Sequence, residues 1–346
     1  AKCFNSALEA NPDCVEAYIN LGNLLAEQSD TDNALDHFMS ARELDPDNTD
    51  VLFNMAILYQ NQDQVAVAID HYQTILDLNP HHVDSLNNLG LLHEVEADQH
   101  EAMLCYQKAI AIKPDYPNAY FNLGNLYHCQ GKAKDALRCY NKILELEPQN
   151  VTAQYLVDAI NGNTQAHAPD GYVSDLFDSF AASFEKSLLE ELEYQTPNLL
   201  ADMLWELYDG EPWFVNALDL GCGTGLMGEQ ISEYCETLTG IDLSDGMLAK
   251  AREKELYTEL GKAELVSFME TINHQYDLIT ATDVFVYIGD LEPVIRESAK
   301  RLESEGLFLF STEKGGDEHF AVYPSGRYKH NTDYVLNLAD VYGLTL

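Results

Sequence analysis

Positive charge is what this sequence has least of. Its 346 residues hold 19 Lys and Arg against 58 Asp and Glu, a formal net charge of −39 with histidine neutral. No cation at all stands between Arg42 and Lys108. Such a surface repels phosphate backbones, so nucleic acid is not an expected partner. A basic polypeptide or a cationic small molecule is attracted instead, although acidity also serves solubility alone. Long apolar runs are missing as well. None approaches the roughly 20 residues that a membrane span needs, so no membrane partner is expected. The opening stretch, AKCFNSALEA, lacks the apolar region and cleavage site of a secretion signal and reads as the interior of a helix. Cysteine pairs are absent too. Seven cysteines, an odd number without one C-x-x-C spacing, argue against a disulfide framework and a zinc site. The expected compartment is reducing, hence cytoplasmic, and no metal is expected.

What the chain has is length and periodicity. At 346 residues it exceeds one ordinary core and calls for two domains, or a domain plus a repeat array. Pro12, Pro46, Pro80, Pro114 and Pro148 follow one another at intervals of 34 residues. That period marks tetratricopeptide repeats, helix–turn–helix units that bury their apolar faces by stacking on neighbours. With repeats starting at 15, 49, 83 and 117, a small residue recurs in the first helix as Gly22, Ala56, Gly90 and Gly124. Ala34, Ala68, Ala102 and Ala136 open the second helix, and Phe38, Tyr72, Tyr106 and Tyr140 follow as an aromatic knob. Small residues permit close helix approach, and the aromatics fill the space between pairs. Residues 1–14 fit the second half of a further repeat, giving a repeat region over 1–150.

After Pro148 the period dissolves. VTAQYLVDAI is expected to form a helix capping the last repeat, and NGNTQAHAPDG, at 161–171, reads as a linker from its Gly, Pro, Asn and Asp. Two helical stretches follow, YVSDLFDSFAASFEKSLLEEL and TPNLLADMLWELY. Strands and helices then alternate: FVNALDL, LMGEQISEYC, TLTGIDL, GMLAKAREKE, a fourth strand within YDLITATDVFVYI, EPVIRESAKRL, and GLFLFST as a fifth strand. Alternation at this spacing implies a parallel, doubly wound sheet with ligands at the strand C-termini. The final GLTL falls where a sixth strand is expected to begin, so the C-terminal strands read as truncated while the cofactor end is kept.

The turn after the first strand admits two readings. From Gly223 it spells G-T-G-L-M-G, a dinucleotide fingerprint; from Asp219 it spells D-L-G-C-G-T-G. The strand ends at Leu220, so the dinucleotide reading starts two residues late. Asp219 also stands at the mouth of the turn, where a pyrophosphate would lie. Unlike or like charges interact by about 4 kcal/mol per pair at 4 Å near a protein surface, so a carboxylate there penalises a diphosphate. S-adenosylmethionine reverses the sign, carrying an ammonium and a sulfonium and no phosphate. Asp242, closing the second strand, is placed to accept both ribose hydroxyls, a feature that serves NAD and S-adenosylmethionine alike. The bland alternative is a tight strand–helix connection with no ligand.

ALDLGCGTGLMG, LTGIDLSDGMLAKAR and YDLITATDVFVYIGDL resemble the successive motifs of class I S-adenosylmethionine-dependent methyltransferases. The resemblance covers roughly 172–346 and is strongest to a bacterial-type group in which the domain follows tetratricopeptide repeats and opens with a YxxxFDxxAxxF helix, here YVSDLFDSFAASF. The fold class it implies is α + α/β: a tetratricopeptide α-solenoid followed by a Rossmann-like class I methyltransferase domain. It further implies that Asp219 and the backbone at Gly221, Gly223 and Gly225 surround the methionine moiety. Asp242 holds the ribose, Leu243 and Met247 flank the adenine, and Glu264 meets the adenine amine. Asp283 faces the site of methyl transfer. AEL stands here for the commoner GDL. S-adenosyl-L-homocysteine is the implied product.

Methyl transfer from a sulfonium is an in-line displacement in which alignment supplies much of the catalysis. A base is needed where the acceptor arrives protonated. Asp283 and Tyr287 lead the candidates, with Glu313, His319 and His330 behind them, each also readable as structural. Tyr172, Phe177, Phe180 and Phe184 form a packing face at helical spacing, and Tyr172 is expected to help cover the cofactor, where an aromatic face favours a sulfonium. Arg327 is a rare cation in an acidic domain, suited to an anionic acceptor or simply to the surface.

The repeats speak to the acceptor. Asn20, Asn54, Asn88 and Asn122 share position 6 of successive first helices, and Asn23 and Asn125 add a second amide at position 9. A side-chain amide both donates and accepts, so a ladder of them binds extended backbone almost regardless of sequence. The arrangement is similar to the asparagine ladder of the O-linked N-acetylglucosamine transferase, which holds substrate peptides. Asparagine at position 6 is also common in such repeats and suits a merely solvated groove. A protein or peptide methyltransferase is thus expected, its groove holding a polypeptide of preferably basic character. The competing functions are a small-molecule methyltransferase docked through its repeats, an inactive scaffold, and an NAD-linked enzyme.

Overall fold

The 34-residue interval folds into helix pairs. In the computed structural model, which describes residues 2–28, 30–181, 184–186, 188, 194–207 and 213–345, a first helix α1 (Lys2–Ala10) precedes them. The pairs are α2 (Val15–Glu27) with α3 (Thr31–Leu44), α4 (Thr49–Asn61) with α5 (Val65–Leu78), α6 (Val83–Val95) with α7 (Gln99–Ile112), and α8 (Pro117–Cys129) with α9 (Ala133–Leu146). Phe38, Tyr72, Tyr106 and Tyr140 are fully buried. Their rings lie so close to the first helix that a Cβ on Gly22, Gly90 or Gly124 would fall 2.5–2.7 Å from ring carbons. The tyrosines keep a polar handle: the Tyr106 hydroxyl donates to Glu94, and that of Tyr140 to Asn125 Oδ1 at 2.7 Å.

The chain divides into two compact units, Ala1–Pro148 and Gln149–Leu346. Helix α10 (Val151–Asn161), expected as a cap on the last repeat, falls in the second unit. Its Tyr155 is buried, donates to the Gly326 carbonyl at 2.7 Å and packs its ring 5.0 Å from that of Tyr172. The residues read as a linker are likewise held in place. Ala166 O accepts from the amides of Gly289 and Asp290, and the Ala168 amide donates to Tyr287 O at 2.8 Å. Their Gly and Pro content signalled irregular backbone, and the backbone bonds that pin it come from residues more than 100 positions away, which composition does not show.

The aromatic-rich stretch forms α11 (Asp170–Phe180), with a turn at Ala181, and a short α12 (Phe184–Lys186), and α13 (Thr196–Glu206) follows. Five parallel strands come next, with helices between them: β1 (Phe214–Leu220), α14 (Leu226–Ile231), β2 (Cys235–Asp242), α15 (Asp245–Glu253), β3 (Glu259–Lys262), α16 (Leu265–Thr271), β4 (Tyr276–Ala281), α17 (Glu292–Arg301) and β5 (Leu302–Phe310). The order across the sheet is β3-β2-β1-β4-β5, a Rossmann-like arrangement. Strand order reverses between β1 and β4, so a crevice opens at the C-terminal ends of those two strands. One core, around Leu218, Leu220, Ile241, Ile279 and Phe285, covers one face of the sheet; Ala217, Leu238 and Leu278 pack with Met227 and Leu204 on the other.

Beyond β5 the chain forms an antiparallel ribbon, β6 (Phe320–Val322) with β7 (Tyr328–His330), and then α18 (Thr332–Val341). The ribbon's three-residue strands carry no alternating apolar pattern long enough to be read as strand. Among the described residues no helix is long and apolar enough to cross a membrane.

Candidate functional site

The glycine turn is built on two constraints. Gly221 takes φ +65° at the end of β1, and a Cβ there would lie 2.4 Å from Val284. Gly225 takes φ +92° as the N-cap of α14. Both conformations strongly favour glycine. Between them the Cys222 amide donates to Ile241 O and the Gly223 amide to Asp242 Oδ2, each at 2.9 Å, so the turn is tied to the end of β2. Beneath it lies Tyr257. Its ring occupies the space that Cβ atoms on Gly225, Gly228 and Gly240 would need, the tightest at 2.6 Å.

Asp219 sits under the turn rather than at its mouth. It is buried, and both oxygens are engaged: Oδ2 accepts from Tyr257 at 2.7 Å and Oδ1 from Thr280 at 2.8 Å. Burial pushes its pKa up to about 6 against the pull of those two donors. Asp242 is only part-buried; Oδ2 accepts from Gly223 and Oδ1 from the Ser244 amide at 2.8 Å, with the Leu243 amide as a third donor, which leaves the carboxylate one further lone-pair site. Burial raises its pKa as well, against its backbone hydrogen bonds. Glu264 spends its carboxylate on its own helix, accepting from the amides of Val266 at 3.0 Å and Ser267 at 2.8 Å as the N-cap of α16. Burial works to raise its pKa, and those amides outweigh it, leaving the group below the usual range.

These residues wall a cavity of about 780 Å³, within the roughly 300–1,000 Å³ common for small-molecule sites. Asp219, Gly221, Gly223, Asp242, Leu243, Met247, Glu264, Asp283 and Tyr287 all line it. Tyr172 and Gly225 do not. Tyr172 is turned away because α11 presents Val173, Leu176 and Phe177 to the cavity, and its ring packs on Tyr155 instead. Gly225 faces Tyr257 and serves the turn's conformation. Phe184 lines the wall beside Phe177; the Phe180 side chain lies outside the described residues.

Asp283 follows β4 in a left-handed conformation, φ +56°, that a non-glycine residue rarely adopts and that clusters at functional sites. Its amide donates to Ser311 Oγ and its Oδ1 accepts from that hydroxyl, both at 2.8 Å, while Thr196 donates to Oδ2 at 3.4 Å and Tyr194 also bonds to it. Tyr287 packs edge-on to Phe177 with ring centroids 5.4 Å apart. Burial raises the Tyr287 pKa, and the Arg327 guanidinium above its ring, 6.0 Å from the centroid, opposes that. The remaining base candidates stand outside the cavity wall. His319 stacks on Tyr334, and buried His330 turns Nε2 to the carbonyls of Ile288 and Gly289. Glu313 binds Arg327.

Several residues escaped sequence reasoning. Asp178 accepts from Ser244 Oγ and from the Gly246 amide at 2.9 Å, fastening α11 to the start of α15. Its place in the FD pair of the aromatic helix was the available signal. Lys254 bridges Glu185 of α12 and Glu229 of α14 within 2.6 Å. Tyr257 and Thr280, which hold Asp219, and Tyr194 carry no local signature.

In the repeats, Asn54 donates to Asn23 Oδ1 at 2.9 Å, Asn88 to the Tyr72 hydroxyl at 3.1 Å, and Asn122 to Asn87 Oδ1 at 2.9 Å. Asn125 accepts from Tyr140, and Asn20 donates to Glu16 O of its own helix at 2.7 Å. Asn54, Asn88 and Asn122 are therefore cross-linked from repeat to repeat, while Asn20 and Asn125 bond within their own repeat. Asn88 also accepts from Asn87 at 3.4 Å, and each amide keeps further donor and acceptor capacity.

Comparison with known proteins agrees with both halves. A family described as a methyltransferase domain matches residues 218–308. Tetratricopeptide repeat families match 15–48, 50–82 and 117–150, and a further TPR repeat family matches 98–131. The chain joins tetratricopeptide repeats to a methyltransferase domain. Among curated relatives, it is 26% identical over 166 residues to an uncharacterized methyltransferase of Schizosaccharomyces pombe, covering 42% of this chain and 58% of that protein. It is 29% identical to nodulation protein S of Azorhizobium caulinodans, covering 44% of this chain and 71% of that one. It is 32% identical over 99 residues to a ubiquinone biosynthesis O-methyltransferase of Hydrogenovibrio crunogenus, covering 28% and 41%. The chain thus spans between about two fifths and seven tenths of the length of these relatives.

Proposed function

We propose that this chain is an S-adenosylmethionine-dependent methyltransferase whose repeats recruit a polypeptide as methyl acceptor. The sign of the cavity wall carries the cofactor reading. Asp219, Asp242, Glu264 and Asp283 line it, and among its described residues Arg327 is the one lysine or arginine. Arg327 belongs to the β6–β7 ribbon, not to the glycine turn. A diphosphate laid on that turn meets carboxylates and no Lys or Arg, at about 4 kcal/mol per charge pair at 4 Å. A donor with an ammonium and a sulfonium meets the favourable sign.

Such a donor, when bound, supplies a methyl group activated by positive sulfur. The chain's residues bind and orient. Asp242 retains acceptor capacity for a ribose hydroxyl. Leu243 and Met247 supply apolar walls for a purine, and the Glu264 carboxylate fixes the backbone of Leu265–Ser267 beside them. Gly221 and Gly223 let backbone approach the methionine part, and Phe177 and Tyr287 offer aromatic surface to a sulfonium. Asp283 stands ready to take a proton where the acceptor carries one, and Tyr287, kept protonated by burial, orients instead.

The row of amides in the repeats supports a polypeptide acceptor. Replacing Asn54→Ala together with Asn88→Ala is expected to raise KM for a long peptide several-fold and to leave cofactor affinity unchanged. The reading ends if KM stays put in a variant that keeps its helical circular dichroism. Methyl-labelled cofactor incubated with lysate tests the class of acceptor directly, with label expected in precipitable protein. The second reading, a small-molecule acceptor, is favoured by the likeness to a ubiquinone biosynthesis O-methyltransferase and predicts label in the soluble fraction instead.

A further inference from the structure

We propose that the group methylated is a carboxylate, and that Arg327 is the residue that holds it. This rests on the methyltransferase reading above and names its substrate class. In a chain of net charge −39, the ribbon between β6 and β7 carries a local excess of positive charge. Arg327 Nε donates to Glu313 Oε1 at 2.8 Å, and Lys329 Nζ stands 3.6 Å from the other oxygen of the same carboxylate. Two cations share one anion, so the pair is left with a net charge of about +1. The guanidinium engages Glu313 through Nε and lies over the ring of Tyr287, in the wall of the cavity. A guanidinium presents five N–H donors in a planar fork, and its bonds to Glu313 and to Tyr287 leave further donors for a second carboxylate.

The position is built, not incidental. The turn Tyr323–Arg327 is closed by the Gly326 amide donating to Tyr323 O at 2.8 Å and the Tyr323 amide donating to Arg327 O at 2.9 Å. Tyr155 holds the Gly326 carbonyl, and the Tyr172 hydroxyl approaches so closely that a Cβ on Gly326 would stand 3.0 Å from it. Helices α10 and α11 therefore fix the turn that presents Arg327, which gives Tyr172 a positioning role in place of the cofactor contact expected of it. The nearby negative group, Asp283, already receives hydroxyls from Ser311, Thr196 and Tyr194, which spread its charge. Charges elsewhere on the chain are screened beyond about 8 Å at physiological salt, so the arginine dominates at contact range.

The chemistry balances without a base. A carboxylate oxygen lone pair forms the new O–CH3 bond while the S–CH3 bond breaks and its electrons return to sulfur. The products are a methyl ester and a neutral thioether, and no proton moves. Asp283 then orients rather than deprotonates.

The test uses the full chain loaded with S-adenosylhomocysteine and two probes, N-acetylglutamate and N-acetylglutamine, titrated by calorimetry. The carboxylate probe is expected to bind and its amide to bind about tenfold or more weakly. Arg327→Gln should weaken the carboxylate probe about 10- to 100-fold, the range for losing a charged hydrogen bond, with Arg327→Lys in between and S-adenosylhomocysteine affinity unchanged in both. Turnover with methyl-labelled cofactor on peptides bearing Asp, Glu or a free C-terminus, and on small carboxylic acids, identifies the source. Label should be released by mild alkali as methanol. Equal binding of the two probes, or label that survives alkali, overturns the carboxylate assignment while leaving methyl transfer standing. Failure of S-adenosylhomocysteine to bind overturns the methyltransferase reading itself.

Discussion

The two units of this protein solve the same packing problem in different ways. In the third repeat, Gly90 clears the way for the ring of Tyr106, whose hydroxyl donates to Glu94, a carboxylate whose pKa burial raises. In the methyltransferase unit, Gly225, Gly228 and Gly240 clear the way for Tyr257, whose hydroxyl donates to Asp219, whose pKa burial raises to about 6. The chemistry is alike: a glycine-seated tyrosine satisfying a carboxylate withdrawn from water. The origin of the parts differs. Gly90, Glu94 and Tyr106 lie within 17 consecutive residues, and the small residue and the ring recur with the period. Tyr257 is seated by glycines from the turn, from α14 and from β2, and its carboxylate comes from β1. A repeat keeps such a device local; the sheet makes it depend on four elements at once.

Breaking the two seats should expose that difference. Gly240→Ala places a Cβ 2.8 Å from both Tyr257 and Leu260, and Gly90→Ala places one 2.5 Å from Tyr106. Each is expected to cost about 3 kcal/mol in chemical denaturation, the upper part of the range for overpacking. Gly240→Ala should also abolish binding of S-adenosylhomocysteine, and Gly90→Ala should leave it intact. Equal effects on binding would dissolve the contrast.

Titration sharpens the comparison. The folded pKa of Asp219, about 6, lies above its ordinary 3.8, so its contribution to stability is fully present below about pH 4 and is lost as pH rises through 6. The loss amounts to roughly 2–3 kcal/mol by proton linkage. Relative to Asp219→Asn, the wild type should therefore gain stability as the pH falls from 7 to 4. A flat difference across that window would mean that Tyr257 and Thr280 hold the carboxylate ionised throughout.

Helix caps give the smallest effect. Asn48 caps α4 by accepting from the Val51 amide at 3.2 Å, and Asn48→Ala should cost about 1 kcal/mol and nothing else. Ser244 caps α15 by accepting from Met247 at 3.0 Å and also donates to Asp178 of α11. Ser244→Ala should cost a similar amount in stability and additionally weaken cofactor affinity, since it loosens α11, whose Phe177 lines the cavity.

The repeats were legible because their information is periodic: the prolines and glycines of one unit predict those of the next. The strand–turn–helix alternation and the pairing of the glycine turn with Asp242 were legible because each lies within a short window. What escaped was contact between distant segments. Asp219 reads as a mouth residue until Tyr257 and Thr280 are seen to bury it. Tyr172 reads as a cofactor cover until the orientation of α11 and the place of Tyr155 are known. The stretch Ala166–Ala168 reads as linker, yet it pairs with residues 287–290. Arg327, in a turn with no strand pattern around it, becomes part of the cavity wall only through a ribbon that the sequence does not announce.

The central claim is that the acidic glycine turn accepts a positively charged thioether donor and refuses a diphosphate. Calorimetric titration of the full chain with S-adenosylhomocysteine, S-adenosylmethionine and NAD measures this directly, with Asp242→Ala as the control. One site for each of the first two ligands, weakened about 10- to 100-fold by the substitution, and no heat from NAD are expected. NAD binding more tightly than S-adenosylhomocysteine would contradict the account.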